Sequence, residues 1–299
     1  MNCLISGGNG FVAKSILNYI DDQLVFDNIG IITRSPDKVI FKSHKNIRIY
    51  NHNEIIDGDF DSSIKYDIYF HAISAPRSLK NDRFFVNEDL LSSYLEVCAN
   101  IGIKSIVYFS SGAVRNHGEV FCNKSNNTNH KIHYAHHKIK SEQFVVNFCK
   151  RNLISYKIFR LYTFSGSHLL NRNEFAISQM ITQALSEGVI TINSPTTVRS
   201  YLDQDDMARN IINSSIKNLD SNSIKDIGSD KPINMFELAN LIASVIRRVC
   251  NKEVSVLVEN FNNSSYDSYL PDGKNIESDG SAKTLEQSIE VMIKKYVSS

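Results

Sequence analysis

The sequence predicts an α/β fold, with a doubly wound parallel sheet first and a smaller C-terminal α/β lobe after it. Three observations predict it. Through the first half, short apolar runs alternate with segments of helical period. A glycine-rich turn stands between the first apolar run and the first helix. In the second half the strand-like runs shorten, and a polar stretch precedes the last helix. Strands separated by helices need right-handed crossovers, and these build a parallel sheet. A chain of 299 residues suits two packed lobes better than one core.

Cys3-Leu4-Ile5 reads as the first strand, and Phe11–Ile20 as a helix with Val12, Ile16, Leu17 and Ile20 on one face. Ile29–Thr33, Ile47–Tyr50 and Ile68–Ala72 are the next strands. A long helix follows at Leu90–Ile101, then a strand at Ser105–Phe109 and a second long helix at Tyr134–Cys149. Ile154–Leu161 is the next strand, and the lobe boundary falls near residues 162–166. Beyond it, helices are expected at Phe175–Leu185, Asp205–Ile216, Met235–Val249 and Lys283–Tyr296. Short strands are expected at Val189–Ile192, Thr197–Leu202, Ile224–Ile227 and Val254–Val258. Asn260–Asp279, rich in Asn, Ser, Asp and Gly, reads as loop.

The formal net charge is +1, without the basic excess of a nucleic-acid binder. Arg247-Arg248 and Lys294-Lys295 read as solvated helix faces. Five cysteines at wide spacings, with no CxxC, fit reduced thiols rather than a disulfide framework. Met1 leads directly into the first strand with no signal-peptide pattern, and no run approaches the roughly 20 apolar residues of a membrane helix. A cytoplasmic protein with no membrane and no nucleic-acid partner is the expectation.

Gly7-Gly8-Asn9-Gly10-Phe11-Val12-Ala13 joins the first strand to the first helix. Gly7 permits a tight turn, Gly10 lets the backbone approach a pyrophosphate, and the helix N-terminus offers N–H donors to it. That placement makes the sheet Rossmann-like and the ligand a dinucleotide. An NAD site ends its second strand in an acid that accepts from the ribose hydroxyls. Here the strand ends Ile31-Ile32-Thr33-Arg34-Ser35, with no acid. A guanidinium grips a 2′-phosphate bidentately, so Arg34 favours NADP(H), with NAD(H) as the alternative. The plain reading of Arg34 is a solvated residue before Pro36.

Tyr134-Ala135-His136-His137-Lys138 puts a phenol and an ammonium one helical turn apart. The cation draws the tyrosine pKa down from about 10, so that the phenol can pass a proton to or from a sugar oxygen. The same lysine can bond the nicotinamide ribose. Ser111, at the end of an apolar strand 23 residues before Tyr134, can bind the same substrate oxygen. His133, His136 and His137, with His117 and His130, have metal-like spacing, but Lys138 would repel a cation there, and no metal is expected. Asp205-Asp206 reads as the cap of the helix that follows, and His71 as a packed strand histidine.

These residues resemble the extended short-chain dehydrogenase/reductases, the nucleotide-sugar epimerase/dehydratase/reductase group, over nearly the whole length. Gly7–Ala13 resembles the family's G-G-x-G-F-[IV]-G, and Asp67–Ala75 its D-x-V-x-H-x-A-A. Tyr108–Val114 resembles Y-x-S-S-x-x-V-Y-G, and Ser141-Glu142-Gln143 the A-E-x after Y-x-x-x-K. Arg160–Gly166 resembles R-x-x-x-x-x-G, Arg199–Ala208 resembles R-D-F-[VI]-x-V-x-D-[VM]-A, and Ile227-Gly228-Ser229 with Glu237-Leu238-Ala239 the N-[VI]-G-S … E-L-A. The resemblance implies an NAD(P)-binding Rossmann domain at 1–163 and a mainly substrate-binding lobe at 164–299, with parts of 190–230 returning to the first. It implies that Ser111, Tyr134 and Lys138 are catalytic. It assigns the cofactor to Gly7, Gly10, Phe11, Val12, Thr33 and Arg34, to Ala72, Ile73, Ser74 and Asn87, and to Tyr134, Lys138 and Leu161. It assigns a nucleotide-diphosphate sugar to Ser74, Ser111, Gly112, Tyr134, Thr163 and Arg199. It also implies a homodimer packed through the two long helices. For Arg199, a salt bridge between lobes is the alternative to a diphosphate contact.

Three departures concern the sugar. Arg115-Asn116 stands for Tyr-Gly, Thr163 for a frequent Asn, and Leu270-Pro271-Asp272-Gly273 for an arginine-containing segment. Dehydratases of the group carry Asp-Glu after the active-site hydroxyl; here Gly112-Ala113 follows Ser111, and elimination of water is set aside. A 4-epimerase usually keeps NAD bound, whereas a reductase consumes fresh nicotinamide, usually NADPH. Arg34 tips the expectation to NADPH-dependent reduction of a nucleotide-linked 4-keto-6-deoxysugar, giving a deoxysugar donor for surface polysaccharide such as O-antigen. The 4-epimerase is the second reading, and a non-catalytic NADP(H)-binding sensor or scaffold the third; the complete Ser/Tyr/Lys set argues against the third.

Overall fold

Apolar runs flanked by turn residues become strands, and amphipathic runs become the helices that cover them. The structure, a computed structural model, describes residues 1–39, 46–57, 63–73, 82–115, 129–259, 268–272 and 282–298, with backbone alone at 82–88 and 129–133. The first part runs β1 (Asn2–Ser6), α1 (Phe11–Gln23), β2 (Asn28–Thr33), β3 (Ile47–Asn51), α2 (His52–Asp57), β4 (Ile68–His71), α3 (Asp82–Asn100), β5 (Ser105–Ser111), α4 (Asn129–Arg151) and β6 (Ser155–Leu161). A 3-10 turn, Gly112–Val114, follows β5. The second part runs β7 (Thr163–Ser165), α5 (Ala176–Glu187), β8 (Val189–Ile192), β9 (Val198–Asp203), α6 (Gln204–Ile216), β10 (Ser223–Ile227), β11 (Pro232–Asn234), α7 (Met235–Cys250), β12 (Ser255–Val258), β13 (Ser268–Tyr269) and α8 (Leu285–Val297).

One sheet has the order β10-β6-β5-β4-β1-β2-β3. From β3 across to β6 every neighbouring pair is parallel. This is the doubly wound Rossmann arrangement, in which the chain moves outward from β1 to β3 and then back past β1 to β4, β5 and β6. Its core joins Leu4, Tyr69, Ile106 and Ile158 of the strands to Leu91, Leu95, Val145 and Phe148 of α3 and α4. Parallel strands covered on both faces read as continuous apolar runs, and β5 is buried at every residue.

The chain divides into two units. The first is Met1–Leu161 with Ile211–Lys225, and the second is Tyr162–Asn210 with Asp226–Ser299. In the second, β9 pairs with β11, β13 and β7, and β8 pairs with β12. Helices α7 and α8 pack together there, each opened by a reciprocal capping box, Asn234 with Glu237 and Thr284 with Gln287.

Several elements depart from the sequence pattern. Helix α3 begins at Asp82 rather than Leu90, and α4 at Asn129 rather than Tyr134. Once a helix is nucleated its extension costs little, so flanking turns outside the main apolar stripe join it. The short α2 has no period to show, but Asn51 and Glu54 cap its start: Asn53 N–H donates to Asn51 Oδ1 and Asn51 N–H to Glu54 Oε2. Strand β13 lies inside the stretch read as loop, held by parallel pairing of Ser268 and Tyr269 with β9. No helix among the described residues is long and apolar enough to cross a membrane.

Candidate active site

The strand order reverses between β1 and β4, and open α/β sheets take their ligands at such a point, outside the carboxyl ends of the strands. Gly7 turns the chain there at φ +75°, a left-handed conformation that glycine adopts without strain. A Cβ at Gly7 would stand 2.8 Å from the Ala72 carbonyl oxygen at the end of β4. Gly10 N–H donates to Gly7 O at 2.7 Å, and a Cβ at Gly10 would meet that oxygen at 3.2 Å. Gly10 is also the N-cap of α1 and brings no side-chain cap, which leaves the first-turn amides and the helix dipole to an anion. Phe11 is buried and Val12 half-buried behind the loop.

Asn9, in the middle of the loop, was not singled out by its sequence pattern. Its amide donates to Thr33 Oγ1 at 2.9 Å and to the Ser35 carbonyl at 3.2 Å, pinning the loop to the end of β2. Its Oδ1 is buried with no protein partner. Thr33 is buried beside it, and Arg34 follows with its side chain exposed. The Arg34 charge reaches His52, whose pKa is lowered first by burial and then by that guanidinium.

Helix α4 packs on β5, β6 and the turn Gly112–Val114. It therefore carries Tyr134 and Lys138 over the end of β5, where Ser111 lies in register with Leu161 of β6. Ser111 is buried, and its hydroxyl accepts from Ala113 N–H at 3.3 Å, capping the turn. Tyr134 is half-buried. Lys138 is 3% exposed. Its Nζ donates to the Phe109 carbonyl at 3.0 Å and to Tyr108 Oη at 3.2 Å, and it lies 5.0 Å from the centre of the Tyr108 ring. Burial works against its charge, but the Tyr108 and Tyr134 phenols and Glu142 outweigh burial, and the pKa is raised. One turn beyond Lys138, Glu142 accepts a two-pronged bond from Arg160 of β6, at 3.0 and 2.7 Å. That pair fixes the inner face of α4 against the sheet.

Below Lys138 lies a row of aromatic groups. His71 stacks on Tyr108, with ring centres 5.9 Å apart. Its Nδ1 bonds Tyr69 Oη at 2.8 Å, and that phenol donates to Ser6 Oγ at 2.8 Å. Burial, with Lys138 nearby, pushes the His71 pKa down to about 3, so the ring is neutral. His71 is thus a packed strand histidine, as its place in β4 suggests.

Ala72 and Ile73 follow β4 half-buried. Ser74 lies outside the described residues, and Asn87 falls within α3. Thr163 and Arg199 belong to the second unit. The Thr163 hydroxyl donates to the Ser200 carbonyl. The Arg199 guanidinium lies 5.7 Å from the Tyr269 ring centre and donates to the Val198 carbonyl at 2.7 Å. The cap of α6 is Asp203 rather than Asp205-Asp206: its carboxylate accepts from Asp205 N–H at 2.9 Å. Asp206 is buried and pairs with Arg209 at 2.6 Å. His136 is exposed and His137 half-buried, His117 lies outside the described residues, and no metal-binding cluster occurs among the described residues.

The family model of the NAD dependent epimerase/dehydratase family matches residues 3–223. Solved structures with a similar fold include a UDP-N-acetylglucosamine 4-epimerase from Methanobrevibacter ruminantium M1, at 19% identity and TM-score 0.77, covering 99% of this chain and 98% of that one. Another is the UDP-N-acetylglucosamine 4-epimerase from Bacillus cereus, at 19% identity and TM-score 0.74, covering 98% and 96%. A third is an NAD-dependent NDP-hexosamine 5,6-dehydratase of tunicamycin biosynthesis, at 14% identity and TM-score 0.74, covering 100% and 98%. At these identities the likeness is one of fold. No curated protein matches the sequence.

Proposed function

Because this chain belongs to the NAD-dependent epimerase/dehydratase family, whose members are extended short-chain dehydrogenase/reductase enzymes, we propose that it is an NADPH-dependent reductase of a nucleotide-linked 4-keto-6-deoxysugar. Its product would be a deoxysugar donor for surface polysaccharide. The residues present fit a nicotinamide dinucleotide. Glycine at 7 lets the loop lie against the end of β4, where a side chain would meet the Ala72 carbonyl, and the unpartnered Asn9 Oδ1 is an acceptor for a ribose hydroxyl. Gly7, Gly10 and the start of α1 would hold the phosphates, and Thr33 and Arg34 the adenosine end. The dinucleotide supplies the hydride that reduces the sugar carbonyl.

The chain supplies the proton and the positioning. Tyr134 delivers the proton to the sugar oxygen, and Ser111 orients that oxygen. Lys138, held charged in a buried place, keeps the Tyr134 phenol acidic. The observation that carries the choice of cofactor is the end of β2: Thr33-Arg34-Ser35 has no carboxylate, and the Arg34 side chain is exposed. A guanidinium there favours a 2′-phosphate. Mixing the protein with NADPH and a panel of nucleotide 4-keto-6-deoxysugars is expected to give rapid loss of NADPH absorbance with one member, and little loss with NADH. Tyr134→Phe is expected to remove turnover while NADPH binding stays nearly intact; retained turnover rejects the assignment.

The second reading is a 4-epimerase, favoured by the 4-epimerases among the similar folds. It requires that no NADPH be consumed and that denatured protein release tightly held NAD. A homodimer through α3 and α4 belongs to either reading, and light scattering of the purified protein tests it.

A further inference from the structure

A buried ammonium has three N–H groups and no acceptor of its own, so its orientation is set by the oxygens around it. Two of the three bonds of Lys138 go to β5, one to the Phe109 carbonyl at 3.0 Å and one to Tyr108 Oη at 3.2 Å. With two bonds fixed, the direction of the third N–H is fixed as well. With the carbonyl alone, the ammonium pivots about a single bond at the end of a four-carbon stem.

The Tyr108 oxygen is itself braced. Tyr108 is 2% exposed, and its ring stacks on His71 at an interplanar angle of 24°. His71 is bonded to Tyr69, and Tyr69 to Ser6, the last residue of β1 and the residue before Gly7. Tyr94 of α3 stacks on Tyr69 with ring centres 6.1 Å apart and meets His71 edge-on. A continuous row of buried side chains thus runs from the base of the glycine loop to the lysine. The groups facing Lys138 are Tyr108 of β5, neutral His71 of β4, and Tyr134 and Glu142 of its own helix, with Glu142 neutralised by Arg160 of β6. None of these presents a competing unpaired cation.

We propose that Tyr108 is a positioning residue for Lys138: its phenol oxygen, braced through His71 and Tyr69, holds the ammonium so that its third N–H is kept for the nicotinamide ribose and the Tyr134 phenol. The inference rests on the reading of Lys138 as the cofactor and catalytic lysine.

The test is titration of NADPH fluorescence, with NADH in parallel, against wild type, Tyr108→Phe and Lys138→Met, at neutral and alkaline pH. Tyr108→Phe keeps the ring and the stacking and removes the acceptor. It is expected to weaken dinucleotide binding roughly tenfold, the size of a lost hydrogen bond to a charged group. The deficit should widen at alkaline pH, because the lysine gives up its proton earlier without the phenol oxygen. Lys138→Met should bind at least as weakly. Wild-type affinity and pH course in Tyr108→Phe, with weak binding in Lys138→Met, overturns the positioning role and leaves the lysine's role standing. Wild-type affinity in Lys138→Met overturns the reading of the lysine, and the inference with it. If Tyr108→Phe does not fold, Tyr69→Phe takes its place. Weakened binding with a wider alkaline deficit in that variant supports the brace, and unchanged binding overturns it.

Discussion

Lys138 on α4 and Lys157 on β6 are 3% and 1% exposed, yet their ammonium groups meet different surroundings. Lys157 Nζ donates to the Asn218 carbonyl at 2.6 Å, the Ser221 carbonyl at 2.9 Å and Ser221 Oγ at 3.3 Å. Its three N–H groups have three protein acceptors, and together they clasp the turn between α6 and β10. Ser155 Oγ donates to the Leu219 carbonyl, and Tyr156 N–H to Asn222 Oδ1, alongside. Burial lowers the Lys157 pKa, Lys225 lowers it further, and Asp220 opposes weakly. At Lys138 burial acts in the same sense, but phenols and a carboxylate reverse it, and the protein supplies two fixed acceptors. Depth of burial does not decide whether a lysine is structural or chemical. The count of acceptors and the sign of the charges facing it do.

The largest expected contrast is in turnover. Lys138→Met should cut activity about a thousandfold, within the range for loss of a group that governs proton transfer. Lys157→Met should leave turnover per folded molecule within about a factor of two, since distant independent sites do not couple. Equal losses in the two variants would erase the distinction.

A smaller contrast is in stability. Lys157→Met leaves the Asn218 and Ser221 carbonyls without their donor, and should lower the unfolding free energy by about 2 kcal/mol in urea titration. A Lys157→Met protein as stable as wild type would show that the turn is held by Ser155 and Asn222 alone.

The smallest contrast is the pH course of stability, and there the two lysines carry opposite signs. An unfolded lysine titrates at about 10.4. Lys138, raised above that, keeps its proton in the folded state while the unfolded chain loses it. Its contribution is present below the unfolded value and is lost as pH rises through the folded one. Lys157, lowered, has already lost its proton in the folded state where the unfolded chain still binds one. Its contribution therefore rises with pH toward the unfolded value. Denaturant titrations across the alkaline range should show a shallower loss in Lys138→Met and a steeper one in Lys157→Met. The same slope in both would remove the electrostatic part of the comparison.

Much of this was legible in the chain itself. Strands β1, β2, β4 and β5 stand out as apolar runs, because strands buried on both faces need side chains that prefer to leave water. The glycine loop and Tyr134/Lys138 are legible because their geometry is local, one tight turn and one helical turn. Helix α2 left only its cap residues as a trace, and β13 left none, because a two-residue strand has no period. Asp203 was passed over as the cap of α6 because three acids stand close together at 203, 205 and 206, and only backbone geometry shows which one the amide reaches.

By itself, then, the sequence determined the alternation of elements, the phosphate-binding turn and the helix face that carries the phenol and the ammonium. The tertiary structure alone decided that Lys138 meets Tyr108, 30 residues away, that Glu142 meets Arg160, and that Lys157 grips a turn 61 residues further along. Periodicity specifies which face of an element is buried. It does not specify the register between elements, and a hydrogen bond depends on that register to within a fraction of an ångström.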